Sequence, residues 1–301
     1  MPIPGSSSYP ISVGQTGDMG PPVTTVRDSL AKIILAKIAG PDPEAARAAI
    51  HDVPGERWFA PDRPIRRVHG DASMLAGGLR ALLLQSLHPL AMAAVAAHSG
   101  YRGDPWGRLQ RTGHFLAVTT YGPAEDAQAA VDQVRAVHER VRGKASDGRP
   151  YFASDPHLLR WVHVAEVDSF LAAHQRYGAH PLDAAGCDGY VADAAEVAAR
   201  LGVIDPPTTV AGVRAELEAY RPELQGTPEA RQAARFLLVN PPVPVLLRPA
   251  YGVLTAAAVG LLPRWTRWPL RLPYLPLAEA TLVRASGDAL TRTIRWALTP
   301  G

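Results

Sequence analysis

The chain has one cysteine, Cys187, in 301 residues. That excludes an internal disulfide, a CxxC redox or zinc motif, and covalent haem attachment through CxxCH. Lysine is nearly absent as well: Lys32, Lys37 and Lys144 are the only three, so 28 of the 31 basic residues are arginine. The arginines are scattered rather than gathered in a block, and with 28 acidic residues the formal net charge is only +3, which argues against a nucleic-acid partner. There is no GxSxG elbow, HExxH pair, phosphate loop or GxGxxG turn, so the commonest hydrolase and dinucleotide chemistries lose their footing. Apolar runs of membrane-spanning quality are missing too: residues 74–97 carry Arg80, His88 and Pro89, and residues 249–263 are too short. The first 25 residues lack the charged start and apolar core of a secretory signal. Rich in Gly, Pro and Ser, they are expected to form a flexible arm ahead of one domain over residues 26–301, in a reducing, cytoplasmic setting.

What is present is an apolar fraction of 47% broken by 29 prolines and 26 glycines. This composition predicts many medium-length helices rather than a few long ones. Helices are expected over residues 26–39, after Pro43, over 71–99 with a kink or break at Pro89, and over 108–120. Residues 124–142 follow, closed by Gly143; Asp155 and Pro156 then cap and open a helix to about Tyr177. Further helices are expected at 188–201, 210–221, 228–238 and about 278–297. No strand-like alternation of useful length appears, and the predicted fold class is all-α, a multi-helix single domain.

Two constellations carry chemistry. Arg108, Arg111 and Thr112 stand at i, i+3 and i+4 on one helical face. Arg135, His138 and Arg142 stand at i, i+3 and i+7 on another. A neutral imidazole can bind iron, and guanidinium groups pair with propionates, so a histidine flanked by arginines suits haem. Each pattern alone also fits a solvated helix face or a structural ion pair.

The run from Gly78 to Pro89 (GLRALLLQSLHP), then His98-Ser99, then Asp104 to Thr112 (DPWGRLQRT) resembles the signature region of the MpaB and latex-clearing (rubber oxygenase) family of haem-dependent oxygenases. The resemblance implies a globin-like helical core holding haem b, with dioxygen and an apolar, isoprenoid-like substrate as partners. It implies oxidation or cleavage of a carbon-carbon double bond. It places Arg108, Arg111 and Thr112 on the distal side of the haem, and His138, between Arg135 and Arg142, as the iron ligand. Arg111 stands where the rubber oxygenases are similar in having a lysine, and an arginine cannot deprotonate to ligate iron. The acidic residue taken as catalytic base in those enzymes has no counterpart in the apolar stretch near Met92.

His163, on the apolar face of a well-capped helix, is the rival axial ligand. His88, before Pro89, could face the pocket or make a structural hydrogen bond. Cys187 lacks the flanks of a thiolate-haem ligand and is expected to be inert. Arg264, Trp265, Arg267, Trp268, Arg271 and Tyr274 combine charge and aromatic surface; they serve either burial against the domain or peripheral membrane contact. Two other functions remain open: a haem-binding or haem-trafficking protein without oxygenase turnover, and a cofactor-free helical module binding lipid or a partner. A non-haem iron centre is disfavoured because no two histidines and a carboxylate together show the local HxD or HxE spacing.

Overall fold

Proline punctuation becomes helix starts. In the computed structural model, which describes residues 26–38, 40, 42–100, 103–240 and 243–299, proline occupies the first turn of helix after helix. There its missing N–H costs nothing, because the first-turn donors have no intrahelical partner. The elements are α1 (Val26–Ile38), α2 (Pro43–His51), α3 (Pro64–His69), α4 (Met74–Gln85), α5 (Pro89–His98), α6 (Pro105–Tyr121) and α7 (Ala124–His138). A small hairpin follows, β1 (Arg142–Lys144) and β2 (Pro150–Phe152). Then come α8 (Pro156–Tyr177), α9 (Ala184–Leu201), α10 (Val210–Tyr220), α11 (Pro228–Leu238), α12 (Arg248–Leu261), α13 (Arg264–Arg267), α14 (Pro276–Ala278) and α15 (Arg284–Leu298). Short-chain acceptors close the orphan N–H groups at several starts: Asp42, Asp104, Asp155, Asp183, Thr209 and Thr227 each accept from the backbone one turn ahead. The predicted all-α class is what the chain adopts. The expected N-terminal arm lies outside the described residues.

Helix α8 is the spine. Leu158, Trp161, Val164, Ala165, Val167, Phe170, Leu171 and Ala173 are buried almost all round it, as expected of a helix enclosed by others. Its tightest neighbour is α4, where Gly77 lets the two backbones approach. A Cβ there would lie 2.8 Å from Phe170 Cδ1 and 3.1 Å from Phe170 Cα, which no side chain can relieve. Arg80, the one charge in α4, is buried and fully used. It donates from Nη2 to Asp168 Oδ2 (2.6 Å), from Nη1 to Ser169 Oγ (2.6 Å) and from Nε to the Leu261 carbonyl (2.9 Å), pinning α4 to α8 and α12. Paired and hydrogen-bonded in this way, a guanidinium can be tolerated in a core.

The segment 71–99 breaks at Pro89 into two helices, α4 and α5, meeting at 109°, because Pro89 removes a donor and His88 caps the new start. Two other boundaries differ from expectation. Helix α7 stops at His138 instead of running to Arg142. The chain turns out there because Tyr151 packs over β1: a Cβ on Gly143 would sit 2.5 Å from its hydroxyl, and that hydroxyl meets His98 Nε2 at 3.1 Å. Residues 142–152, between α7 and α8, therefore hold a hairpin, with Arg142 opposite Phe152. Last, residues 279–283 wind as a π-helix ahead of α15. Among the described residues no single helix is long and apolar enough to cross a membrane.

Candidate functional site

Helices α6 and α7 form a hairpin about the Gly122-Pro123 turn. Arg108 lies 13 residues before the last residue of α6, and His138 lies 14 residues after the first of α7. At about 1.5 Å per residue both constellations therefore stand near the same open end, roughly 20 Å from the turn. Along α7, Ala127, Val131, Val134 and His138 recur at 4-3-4 spacing, and the first two are fully buried. His138 thus ends the inward stripe. Its Nδ1 is buried and makes no hydrogen bond, and burial lowers its pKa, so the ring is neutral at pH 7 with a lone pair to give.

Its neighbours in the two constellations are placed differently. Arg111 is mainly exposed and pairs with Asp104 (3.3 Å), the residue that caps α6, while Thr112 is exposed beside it and Arg108 is half-buried. Arg135 donates to the Arg200 carbonyl at the end of α9 (3.3 Å). Arg142, on β1, has left the face of α7 altogether.

The face of α8 that runs Leu159, Val162, His163, Glu166, Phe170 carries a second inward group. His163 Nε2 is buried without a hydrogen bond, and burial, reinforced by Arg160, drops its pKa to about 4. One turn on, Glu166 accepts no hydrogen bond from a described side chain, and burial raises it to about 7. Across from it the Tyr190 hydroxyl of α9 is buried and unpartnered; burial and then the charges of Glu166 and Asp168 push it well above its ordinary value. His69 of α3 completes the group, pushed by burial to about 3, its Nδ1 2.8 Å from Thr120 Oγ1 and its ring edge-on to Phe170 and Tyr190. Glu166, His163 and His69 all keep some accessible surface although protein surrounds them closely enough for desolvation to govern their titration. That combination belongs to groups at the edge of the packed core, screened by the protein around them. Buried polar atoms are paired nine times in ten, so several unpaired ones together make this a candidate site.

Glu166, His69 and Tyr190 were not singled out from the sequence. A signal for Glu166 existed: it is the one carboxylate on an apolar helical face that also bears His163. His69 and Tyr190 gave none, because α3 is six residues long and tyrosine inside an amphipathic helix is ordinary. His88 is used elsewhere: it caps α5 through Ala91 N and faces Glu223. The Cys187 thiol is half-buried and pushed up by burial, in keeping with an inert role.

The state of Glu166 has a measurable consequence. A carboxyl held above its unfolded value of 4.5 stabilises the fold below that pH, and the contribution is lost as pH rises through about 7. Glu166→Gln removes the dependence. The variant is expected to exceed wild type by about 2–3 kcal/mol at pH 8, with the gap closing near pH 5. Urea unfolding at the two pH values checks this; an equal gap at both would show Glu166 to be solvated.

A predominantly helical domain with neutral imidazoles and a protonatable carboxylate turned into its interior is the class of protein the fold and site define. The chain belongs to the family described as "ER-bound oxygenase mpaB/B'/Rubber oxygenase, catalytic domain", whose profile matches residues 66–296 and so includes every inward group named above. Proteins described only as uncharacterised, from Mycobacterium bovis and Mycobacterium tuberculosis, are each 33% identical over 171 residues, covering 56% of this chain. The matched stretch spans 57% of the length of those relatives. No solved structure matches the chain.

Proposed function

We propose that this chain is a haem b-dependent oxygenase that oxidises or cleaves a carbon-carbon double bond of an apolar, isoprenoid-like substrate with dioxygen, His138 holding the iron. The observation that carries this reading is the buried, unpartnered nitrogen of a neutral imidazole at the end of the inward stripe of α7, within the matched family region. The residues present fit the group: an imidazole with a free lone pair, a second one in His163, and arginines at the same end of the hairpin. Bound haem supplies a redox-active iron for dioxygen chemistry. Arg108, Arg111 and Thr112 would donate hydrogen bonds to dioxygen or to a polar substrate group, and Arg135 and Arg142 would pair with propionates or hold the His138 segment. Arg111, always charged, cannot close the site by ligating iron as a lysine could. Glu166 is equipped to hold or release a proton at its carboxyl near neutral pH.

Titration of the purified apoprotein with hemin tests the first half of the proposal: one equivalent should bind and give a Soret band. A colourless mixture would end it. Aerobic incubation of the loaded protein with an isoprenoid alkene tests the second half; haem binding with no oxidised product would leave a haem carrier.

Peripheral contact with a lipid surface belongs to the same proposal, since an apolar substrate partitions there. Arg267 is buried against Glu279 (2.8 Å), but Trp268, Leu275, Leu277 and Leu282 are exposed, as are Arg264 and Arg271 of the same stretch of chain. Co-sedimentation with anionic vesicles should therefore be retained by wild type and weakened in Trp268→Ala, and full recovery in the supernatant would remove this part.

A further inference from the structure

Three donor side chains converge away from the α6–α7 hairpin, where α5 and α8 both begin. His88 is the residue before α5, His157 the second residue of α8, and Glu223 ends the 3-10 turn Arg221–Glu223 that follows α10. Their donor atoms all lie within 4.8 Å of one another. His88 Nε2 is 3.4 Å from Glu223 Oε2, and His157 Nε2 is 3.0 Å from both Glu223 oxygens. Ligands about 2.0–2.2 Å from one ion at tetrahedral or octahedral angles stand roughly 3.0–3.5 Å apart, so the two measured edges already have the spacing a metal needs.

The surroundings fix the imidazoles. His88 is buried between the Trp161 and Tyr220 rings, with centroids at 6.2 and 6.4 Å. The Tyr220 hydroxyl donates to the His157 carbonyl (2.8 Å), and its oxygen is 3.3 Å from His157 Nδ1. When that oxygen accepts the Nδ1 proton, the Nε2 lone pair of His157 points at a carboxylate. Two lone-pair surfaces at 3.0 Å repel unless a cation or a proton lies between them, and an outer partner that holds the tautomer in this way is the usual companion of a ligating histidine. The contact that ligation would displace is weak: the acceptance by His88 Nδ1 from Ala91 N, at 3.4 Å. On the outer side, a pocket of about 360 Å³ is lined by His157, Tyr220 and Glu223, with the Arg160–Glu216 pair on its wall.

We propose that His88, His157 and Glu223 bind a divalent transition-metal ion of the Zn²⁺ type, its remaining coordination position open to this pocket. Two imidazoles and one carboxylate are borderline donors suited to Zn²⁺, Co²⁺ or Fe²⁺ rather than to Mg²⁺ or Ca²⁺, and three protein ligands leave a position for an exchangeable one. The site shares no residue with the haem proposal and does not depend on it.

The test uses the full chain, purified without an affinity tag and stripped with chelator, titrated with Co²⁺ and then with competing Zn²⁺. One equivalent of Co²⁺ should produce visible absorption that Zn²⁺ displaces, and Zn²⁺ should raise the melting temperature. His88 lies in the core, so the deciding variants are at the two exposed ligands, His157→Ala and Glu223→Gln. Each is expected to weaken Zn²⁺ binding by about a hundredfold while leaving the metal-free melting temperature within a few degrees of wild type. Equal Zn²⁺ affinity in wild type and His157→Ala would overturn the site. So would absence of binding at 0.1 mM Zn²⁺, on the order of a weak surface site, which would leave an imidazolium–carboxylate pair.

Discussion

Replacing His138 by Ala is expected to abolish the Soret band of hemin-loaded protein while leaving the helical circular-dichroism signal unchanged. The imidazole ends the inward stripe of α7 and its buried nitrogen has no other partner. Removing it breaks no hydrogen bond of the fold, whereas it deletes the bond that would fix iron. His163→Ala is the paired control, because His163 Nε2 is also buried and unpartnered. Loss of the band in His163→Ala with retention in His138→Ala would transfer the axial role to α8. Retention in both would mean that haem is held by neither ring.

The second large effect is on stability. Asp168→Ala should cost about 3–5 kcal/mol, because it strands the buried guanidinium of Arg80. Asp168 itself is partly exposed and loses little by leaving, so the penalty comes from its partner. The double variant Arg80→Met with Asp168→Ala is expected to recover most of the loss, since replacing a buried pair outright is far cheaper than halving it. Thermal or urea unfolding of the two single variants and the double variant gives the coupling free energy directly. If the single variant loses less than about 1 kcal/mol, Arg80 must reach water.

Much of the helical order was legible in the chain. Asp155 followed by Pro156 announced the start of α8, because capping and proline geometry act within four residues. Pro89 announced the break between α4 and α5, though not its 109° angle, which packing against α8 and α11 sets. The early stop of α7 was illegible: residues 139–142 are good helix formers, and what ends the helix is Tyr151 lying over Gly143, a contact between segments that propensity does not see.

The candidate site divides along the same line. His138, His163 and the two arginine-bearing faces could be read because helical spacing groups residues that are three, four or seven apart. Tyr190 and His69 could not, because they meet Glu166 and Phe170 only when α3, α8 and α9 pack together.

By itself, the sequence determined that this protein is a set of proline-started helices with no disulfide, and which histidines sit on apolar stripes. Those properties follow from local backbone chemistry and periodicity. The tertiary structure alone decided which polar groups lose their water, that Arg135 meets a carbonyl and Arg142 a strand, and that His88 meets His157 and Glu223. Desolvation and the convergence of distant donors depend on how helices enclose a shared interior, and no local stretch of chain encodes that.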